Sequence, residues 1–408
     1  MPEQAESGSV DPQELRGQSE AVGRELATSL HNLLASLPQE NWRPQALADV
    51  LSQTVLITGR LLRGVTNPDP LGALLQLPGP QPLRRCVASA LRAGADEKCG
   101  KRALESITEF ADLILKYSGG RAEFASILST WVPESRREFE MRRRQSVFRA
   151  MTELKGAQEE VEVLAAVLTL SKDREGIDLT VIQGSLGVQR HRPGVLVEVG
   201  ALEVDLEGVE HAMRLRKRKG SGPFGLGALD KYCVNPPASV QVHKLGKRAR
   251  FSLADEKFGA DSTVDYWIAH HHPKGIELRD DSKVSGQPYF YSVVSFPCHK
   301  LVIDTLVHRD LISEDDPSLV VNWSIGEEPA RPTQIERSLD LIETHERVSI
   351  TGHGTQHLRL AEAPTYVALM RDLFGHLGYD SKEFRHARAS IEYPLFGAQI
   401  SLVQPLSR

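Results

Sequence analysis

Guanidinium and ammonium groups are the side chains whose number and grouping first suggest chemistry. Segment 135–149, SRREFEMRRRQSVFR, carries six arginines against two glutamates. Segment 214–219, RLRKRK, adds five bases, and segment 244–250, KLGKRAR, adds four. The whole chain has a net charge of −5, so what lies outside these segments is strongly acidic. Such asymmetry suits a localised anion-binding surface, because a phosphate contact needs only charge and reach. The candidates are Arg136, Arg137, Arg142, Arg143 and Arg144 in the first segment and Arg214, Arg216, Lys217, Arg218 and Lys219 in the second. The same side chains would also serve to pair nearby acids on a solvated helix face.

Histidine, cysteine and glycine patterns are less specific. His270, His271 and His272 form the densest imidazole run. Alternate strand residues share a face, so His270 and His272 could hold a divalent metal with Asp261 or Asp265. No third ligand has diagnostic spacing, and the run reads as a polar strand end before Pro273, with no metal. His353 and His357 are four apart, but two glycines in ITGHGTQHLRL make that segment a loop rather than a ligand-bearing helix. Cys298 reads as a buried thiol, since its neighbour His299 would point to the opposite face of a strand. Gly220, Gly222 and Gly225 match G-x-G-x-x-G in form, yet a basic run precedes them and Pro223 interrupts them. A flexible basic loop is the reading.

The segment 47–63, LADVLSQTVLITGRLLR, can be laid on a helix-turn-helix pattern. Ala48 is small enough for close helix approach, Leu47 and Leu51 point inward, Thr54 is an N-cap, and Leu61 and Leu62 are the inward residues of the second helix. Ser52 and Gln53 stand where such turns usually carry Gly and an apolar residue. The outward face would present Val55, Thr58, Gly59 and Arg60, with Arg63 near its end. Groups able to hydrogen-bond base edges are Thr54, Thr58, Arg60 and Arg63. The spacing equally fits an αα-hairpin within a helical bundle. The stretch 46–85, especially LADVLSQTVLITGRLLRG followed by DPLGALLQLPGP, resembles the start of a loosely defined group of uncharacterised bacterial helix-turn-helix proteins. The resemblance implies DNA binding, with a large α-helical and α+β region after the motif.

These residues must be positioned by two kinds of architecture. A chain of 408 residues suggests two or three domains. The first twenty residues are polar and unpatterned and read as a disordered tail without a secretory signal. Residues 21–155 read as an all-α domain, with helices expected near 22–37, 45–51, 54–64, 70–77, 83–93, 96–117 and 122–131, and an Arg-rich helix opening at Pro133. Residues 156–408 read as a mixed α+β domain that senses a ligand or mediates oligomerisation. The run 161–170 could still be helical, with strands expected at 177–182, 195–199, 240–243, 248–253, 289–296, 301–307 and 319–323. Residues 366–377 read as a helix, and 390–395 with 398–403 as a terminal hairpin around Phe396-Gly397. No apolar run is long enough to span a bilayer, and four scattered cysteines without a CxxC pair argue for a reduced, cytoplasmic protein.

The leading expectation is therefore a DNA-binding transcriptional regulator, a homo-oligomer on double-stranded DNA with no cofactor and no membrane contact. One such motif contacts too few base pairs to be selective alone. The alternatives are a non-enzymatic assembly protein and, third, an enzyme acting on a phosphorylated substrate. No paired acid and base argues for a particular reaction.

Overall fold

Helix α1, Pro12–Ala35, begins where Asp11 accepts the Gln13 backbone N–H and Pro12 pre-sets the first turn. The computed structural model describes residues 11–38, 43–203, 227–236, 240–245, 248–253, 257–277, 288–324, 330–331 and 334–407. Residues 12–20 are thus helical where the sequence suggested a tail. Their buried stripe runs Leu15, Ser19, Gly23 and Leu26, and two small members conceal its period. Gly23 is small for a reason: a Cβ there would lie 2.3 Å from the Pro70 carbonyl oxygen.

The chain divides into two compact units, Met1–Arg142 and Arg143–Arg408. In the first, α2 (Pro44–Leu51), α3 (Val55–Val65), α4 (Pro70–Gln76), α5 (Pro80–Arg92), α6 (Glu97–Tyr117) and α7 (Arg121–Ser129) follow α1. Their leucine-rich stripes close on one core with α1, which includes Leu26, Leu30, Leu51, Leu61, Leu74, Val87 and Phe110. Helix α8, Pro133–Lys155, starts in the first unit and ends in the second.

The second unit is built on a seven-stranded mixed sheet of order β11-β12-β9-β1-β2-β7-β4. The strands are β1 (Ala157–Leu170), β2 (Gly176–Arg190), β4 (Gly227–Ala228), β7 (Val264–Glu277), β9 (Cys298–His308), β11 (Ser349–His353) and β12 (Phe384–Glu392). Helix α9, Tyr366–Leu377, packs its Leu369, Met370, Leu373 and Phe374 against one face, over Val163, Ala165, Val302 and Leu306. A three-stranded sheet, β10 (Ser318–Trp323), β13 (Ala398–Val403) and β8 (Tyr289–Val293), contributes Val321, Ile400, Leu402 and Phe290 to the core on the other face. A further sheet, β3 (Val197–Glu203), β6 (Arg248–Leu253) and β5 (Val240–Leu245), adds a small core around Val197, Phe251 and Tyr266. The chain is thus α in its first part, around one helical core, and α+β in its second, around cores built on sheets.

Two further sequence expectations are overturned. Residues 161–170 are strand, not helix: β1 is central, antiparallel to β2 and parallel to β9, and buried on both faces. A strand of that kind is apolar throughout and carries no alternation to separate it from a buried helix. The terminal segments are not a hairpin either. β12 pairs with β9 and β11, whereas β13 pairs with β10 and β8, so the turn at Gly397 passes the chain from one sheet to another. β2 also continues to Arg190, well past its expected end at residue 182. Gly184 lets Trp267 lie across it (a Cβ would meet the ring at 2.4 Å), and Gly187, with positive φ, sits in a register shift.

Candidate functional site

The turn between α2 and α3 sets up the first candidate site. Ser52 takes a left-handed conformation with φ +48°, and Thr54 caps α3 by accepting the Ile57 N–H at 3.4 Å. Leu47, Ala48, Leu51 and Leu61 are buried, as the pattern anticipated, and Leu62 packs half-buried against the same core. Thr58 departs from the expectation. It is fully buried on the stripe it shares with Leu61 and Val65, and its hydroxyl donates to the Pro44 carbonyl at 2.8 Å. A threonine can turn inward because that bond satisfies its one polar group. Thr58 is therefore not on the outward face, which instead shows Val55 and Leu56, the latter 72% exposed.

Arg60 is also drawn away from the surface. Its guanidinium donates to the carbonyls of Gln76 at 3.2 Å and Leu77 at 3.1 Å, at the C-terminal end of α4. Arg121, first residue of α7, donates to the same helix end through Leu74, Leu75 and Leu77, and lies 5.3 Å from the centre of the Phe110 ring. Two guanidiniums complement the partial negative charge of that helix end. Neither meets a carboxylate among the described residues, and the buried Nε and Nη1 of Arg121 have no hydrogen-bond partner there. Burial lowers the Arg121 pKa to about 10, with the charge of Arg60 adding to it. Burial lowers Arg60 as well, followed by repulsion from Arg142 and Arg63, with Glu138 opposing. Arg60 and Arg121 thus meet at one helix end, with Arg63 and Arg142 near enough to repel Arg60 and with Glu138 bonded to Gln76 of that end.

The Arg-rich segment divides. Arg136 pairs with Glu140 at 2.8 Å, and Arg142 pairs with Glu138 one turn earlier. Arg63 and Arg143 are exposed. Arg144 is buried against Glu346 in the second unit, so it is spent on that ion pair and does not present itself to a phosphate. Arg216, Lys217 and Arg218, with the glycine pattern at 220–225, lie outside the described residues. Of the third segment, Arg250 holds Glu198 at 2.9 Å. Arg121 escaped sequence reasoning altogether. The one signal was an arginine at a helix start, where the helix dipole disfavours it.

A polar cluster of the second unit is buried between α9 and the large sheet. Asp304 on β9 accepts hydrogen bonds from Arg388 Nε and Nη2 at 2.7 and 2.8 Å, His386 Nε2 at 2.9 Å and the Tyr366 hydroxyl at 2.8 Å. Arg388 stands directly opposite Asp304 in the β9–β12 register. His386 Nδ1 contacts the hydroxyl of Thr351 on β11. Burial would raise Asp304, but the bonds to Arg388 and His386 outweigh it and hold the carboxyl near 2. Hydroxyl, imidazole and carboxylate stand in a row here, yet Asp304 and His386 are fully buried, and Arg388 also donates to the Arg359 and Leu358 carbonyls. The cluster locks three strands to a helix.

The imidazole run lies within β7 rather than at a strand end. His271 faces Thr180, 2.9 Å away, while His270 and His272 share the opposite face with ring centres 6.3 Å apart. Asp265 is on the His271 side and accepts from the Gly187 and Val234 N–H groups, so it cannot join them. Burial, then the ring of His272, lowers His270 to about 3. Cys298 is buried and donates to the Lys300 carbonyl at 2.8 Å. Burial, with Glu159 and Glu162, pushes that thiol well up, away from nucleophilic use. No group of three or more His, Cys, Asp or Glu is placed to hold a metal among the described residues, and no helix there is long and apolar enough to cross a membrane. No protein-family model matches the chain, and no curated protein matches it.

Proposed function

We propose that the chain binds double-stranded DNA through the phosphate backbone, using the arginines gathered around the end of α4, without base readout by α3. The observation that carries this reading is the convergence of Arg60, Arg63, Arg121 and Arg142 on one place with Glu138 as the neighbouring acid. Arg63 and Arg142 supply exposed charge, and Arg60 and Arg121 supply a fixed positive floor beneath them. With Thr58 turned inward and Arg60 held by α4, α3 keeps only Thr54 and Arg63 of its four candidate base-reading groups. Phosphate contact positions a protein on a duplex but does not select a sequence. Selectivity under this reading comes from self-association, which multiplies a weak contact.

Anisotropy titration of labelled mixed-sequence duplex DNA at several salt concentrations tests it. Affinity falls steeply with salt, and Arg63→Ala/Arg142→Ala reduces the logarithmic salt slope by about 0.9 for each phosphate that the variant no longer neutralises. Glu138→Gln, which removes the competing carboxylate, tightens binding. A weakening confined to Arg216→Ala/Lys217→Ala moves the binding surface to that loop, and no binding at low salt ends the proposal.

A second reading is favoured by a separate observation, the apolar tip of α3. Val55 and Leu56 are exposed side by side on the helix that was expected to read DNA. Under that reading the first unit is an assembly module. Val55→Glu/Leu56→Glu would then change the mass of the particle in sedimentation while DNA binding stays as it was.

A further inference from the structure

His270 is 2% exposed, and neither of its ring nitrogens meets a hydrogen-bond partner among the described residues. A buried polar group left unmet costs about 1–3 kcal/mol, so something is expected to reach these atoms. The register shows what stands around them. His270 is opposite Val181 and His272 opposite Leu179 in the β2–β7 ladder, with Gln183 opposite Ile268. Gln183 is therefore the diagonal neighbour of His270 on the same face. Its side-chain oxygen is likewise buried with no partner among the described residues. A donor-capable ring and an acceptor oxygen thus share one face without bonding each other, and a second imidazole has its ring centre 6.3 Å from the first. His272 is only half-buried. Among the described residues, β4 pairs with β7 only at Ala269 and Ile268, so past His270 that flank of β7 carries no strand.

We infer that His270 and His272 bind a divalent late first-row metal ion of the Zn2+ type, with Gln183 Oε1 fixing the His270 ring and water completing the coordination shell. A neutral imidazole has one acceptor nitrogen and one N–H. On binding, the acceptor nitrogen of His270 takes the metal and the Gln183 amide turns so that its oxygen accepts from the ring N–H, the arrangement by which bound histidines are usually oriented. Imidazole with oxygen ligands suits Zn2+ and Cu2+ rather than Mg2+ or Ca2+. The side of His272 open to solvent gives the ion its way in. Asp265, one of the two acids considered from the sequence, plays no part, since it projects to the other face.

The test is a calorimetric Zn2+ titration of the untagged full-length chain, with Co2+ absorption as a second readout. One equivalent should bind. His272→Ala should abolish binding, and Gln183→Leu should weaken it by about tenfold or more, the usual cost of losing an orienting partner. His271→Ala, whose ring faces Thr180 on the other side, should bind as the native chain does. Should His270→Ala fail to fold, the half-exposed His272 variant still decides the matter. Zn2+ binding that survives His272→Ala, or no binding by the native chain, overturns the assignment and leaves ordered water as the occupant of these atoms.

Discussion

In the second unit Arg388 meets Asp304 through two nitrogens at 2.7 and 2.8 Å, whereas in the first unit the hydrogen bonds of Arg60 and Arg121 go to backbone carbonyls at the end of α4 among the described residues. Both units bury guanidinium, and they differ in what neutralises it. Around Asp304 the charges balance, every acceptor is used, and the carboxyl is held near 2. Around α4 like charges face each other, Arg121 falls to about 10, and two of its donor nitrogens go unmet among the described residues. A closed ion pair is a fastening, because nothing outside can improve it. An arginine pair held by helix-end carbonyls is stabilised further by any anion that reaches it.

The largest expected effect is at Asp304. Asp304→Asn leaves Arg388 buried without its counter-charge, and removing one partner of such a pair costs about 3–5 kcal/mol. Urea unfolding followed by Trp267 and Trp323 fluorescence, with Trp42 and Trp131 replaced by Phe, measures it. The pH dependence has a definite sign. A carboxyl depressed to about 2 in the folded state contributes stability that is present above its unfolded pKa. That contribution is lost as pH falls toward 2. The gap between native and variant should therefore begin to close below pH ~4, the unfolded carboxyl range, and close fully only as pH approaches 2. A gap unchanged by acid would show that the cluster does not act through charge.

Arg121→Met should cost much less, about 1–2 kcal/mol, because the orphaned donors and the repulsion with Arg60 disappear together with three bonds to carbonyls. Arg388→Met provides the contrast. It strands the Asp304 carboxylate and should match Asp304→Asn in size. Equal costs for Arg121→Met and Arg388→Met, read from urea midpoints, would erase the distinction drawn between the two regions.

Inorganic phosphate sharpens the same contrast without a mutation. At ten times its dissociation constant, an anion bound only to the folded first unit adds about 1.4 kcal/mol by mass action. At constant ionic strength, phosphate should delay unfolding of the first unit, followed through Trp131, and leave the Trp267 signal in place. The effect should vanish in Arg60→Met/Arg121→Met. Equal shifts in both units would mark a general salting effect.

How much of this was legible in the sequence depends on whether a pattern had room to show itself. Helix α9 was readable to the residue, because Val367, Met370, Leu373, Phe374 and Leu377 recur at three- and four-residue spacing on one face. Strand β1 was not, because burial on both faces erases alternation. Thr58 was misplaced because a hydroxyl counts as polar in a pattern, while its bond to Pro44 makes it an inward residue. The terminal turn was seen and its partners were not, since nothing in Phe396-Gly397 says that the two strands join different sheets. Asp304, His386 and Arg388 are brought together by register, and Arg121 reaches α4 only through the packing of the first unit.

The smallest expected effect belongs to Leu56. A lone exposed leucine contributes little to folding, so Leu56→Ser should change first-unit stability by less than about 0.5 kcal/mol in urea. Solvent already covers most of its side chain, and Val55 beside it is nearly half exposed. These two residues are the apolar counterpart to Arg60 and Arg63 further along the same helix, and a Cβ at the intervening Gly59 would meet open space. If the arginines carry the activity of this surface, sedimentation velocity should give the same particle for native chain and Leu56→Ser, and phosphate should protect both alike. A smaller particle for the variant, at unchanged stability, would instead assign the α3 tip to self-association and reduce the arginine cluster to a cap on α4.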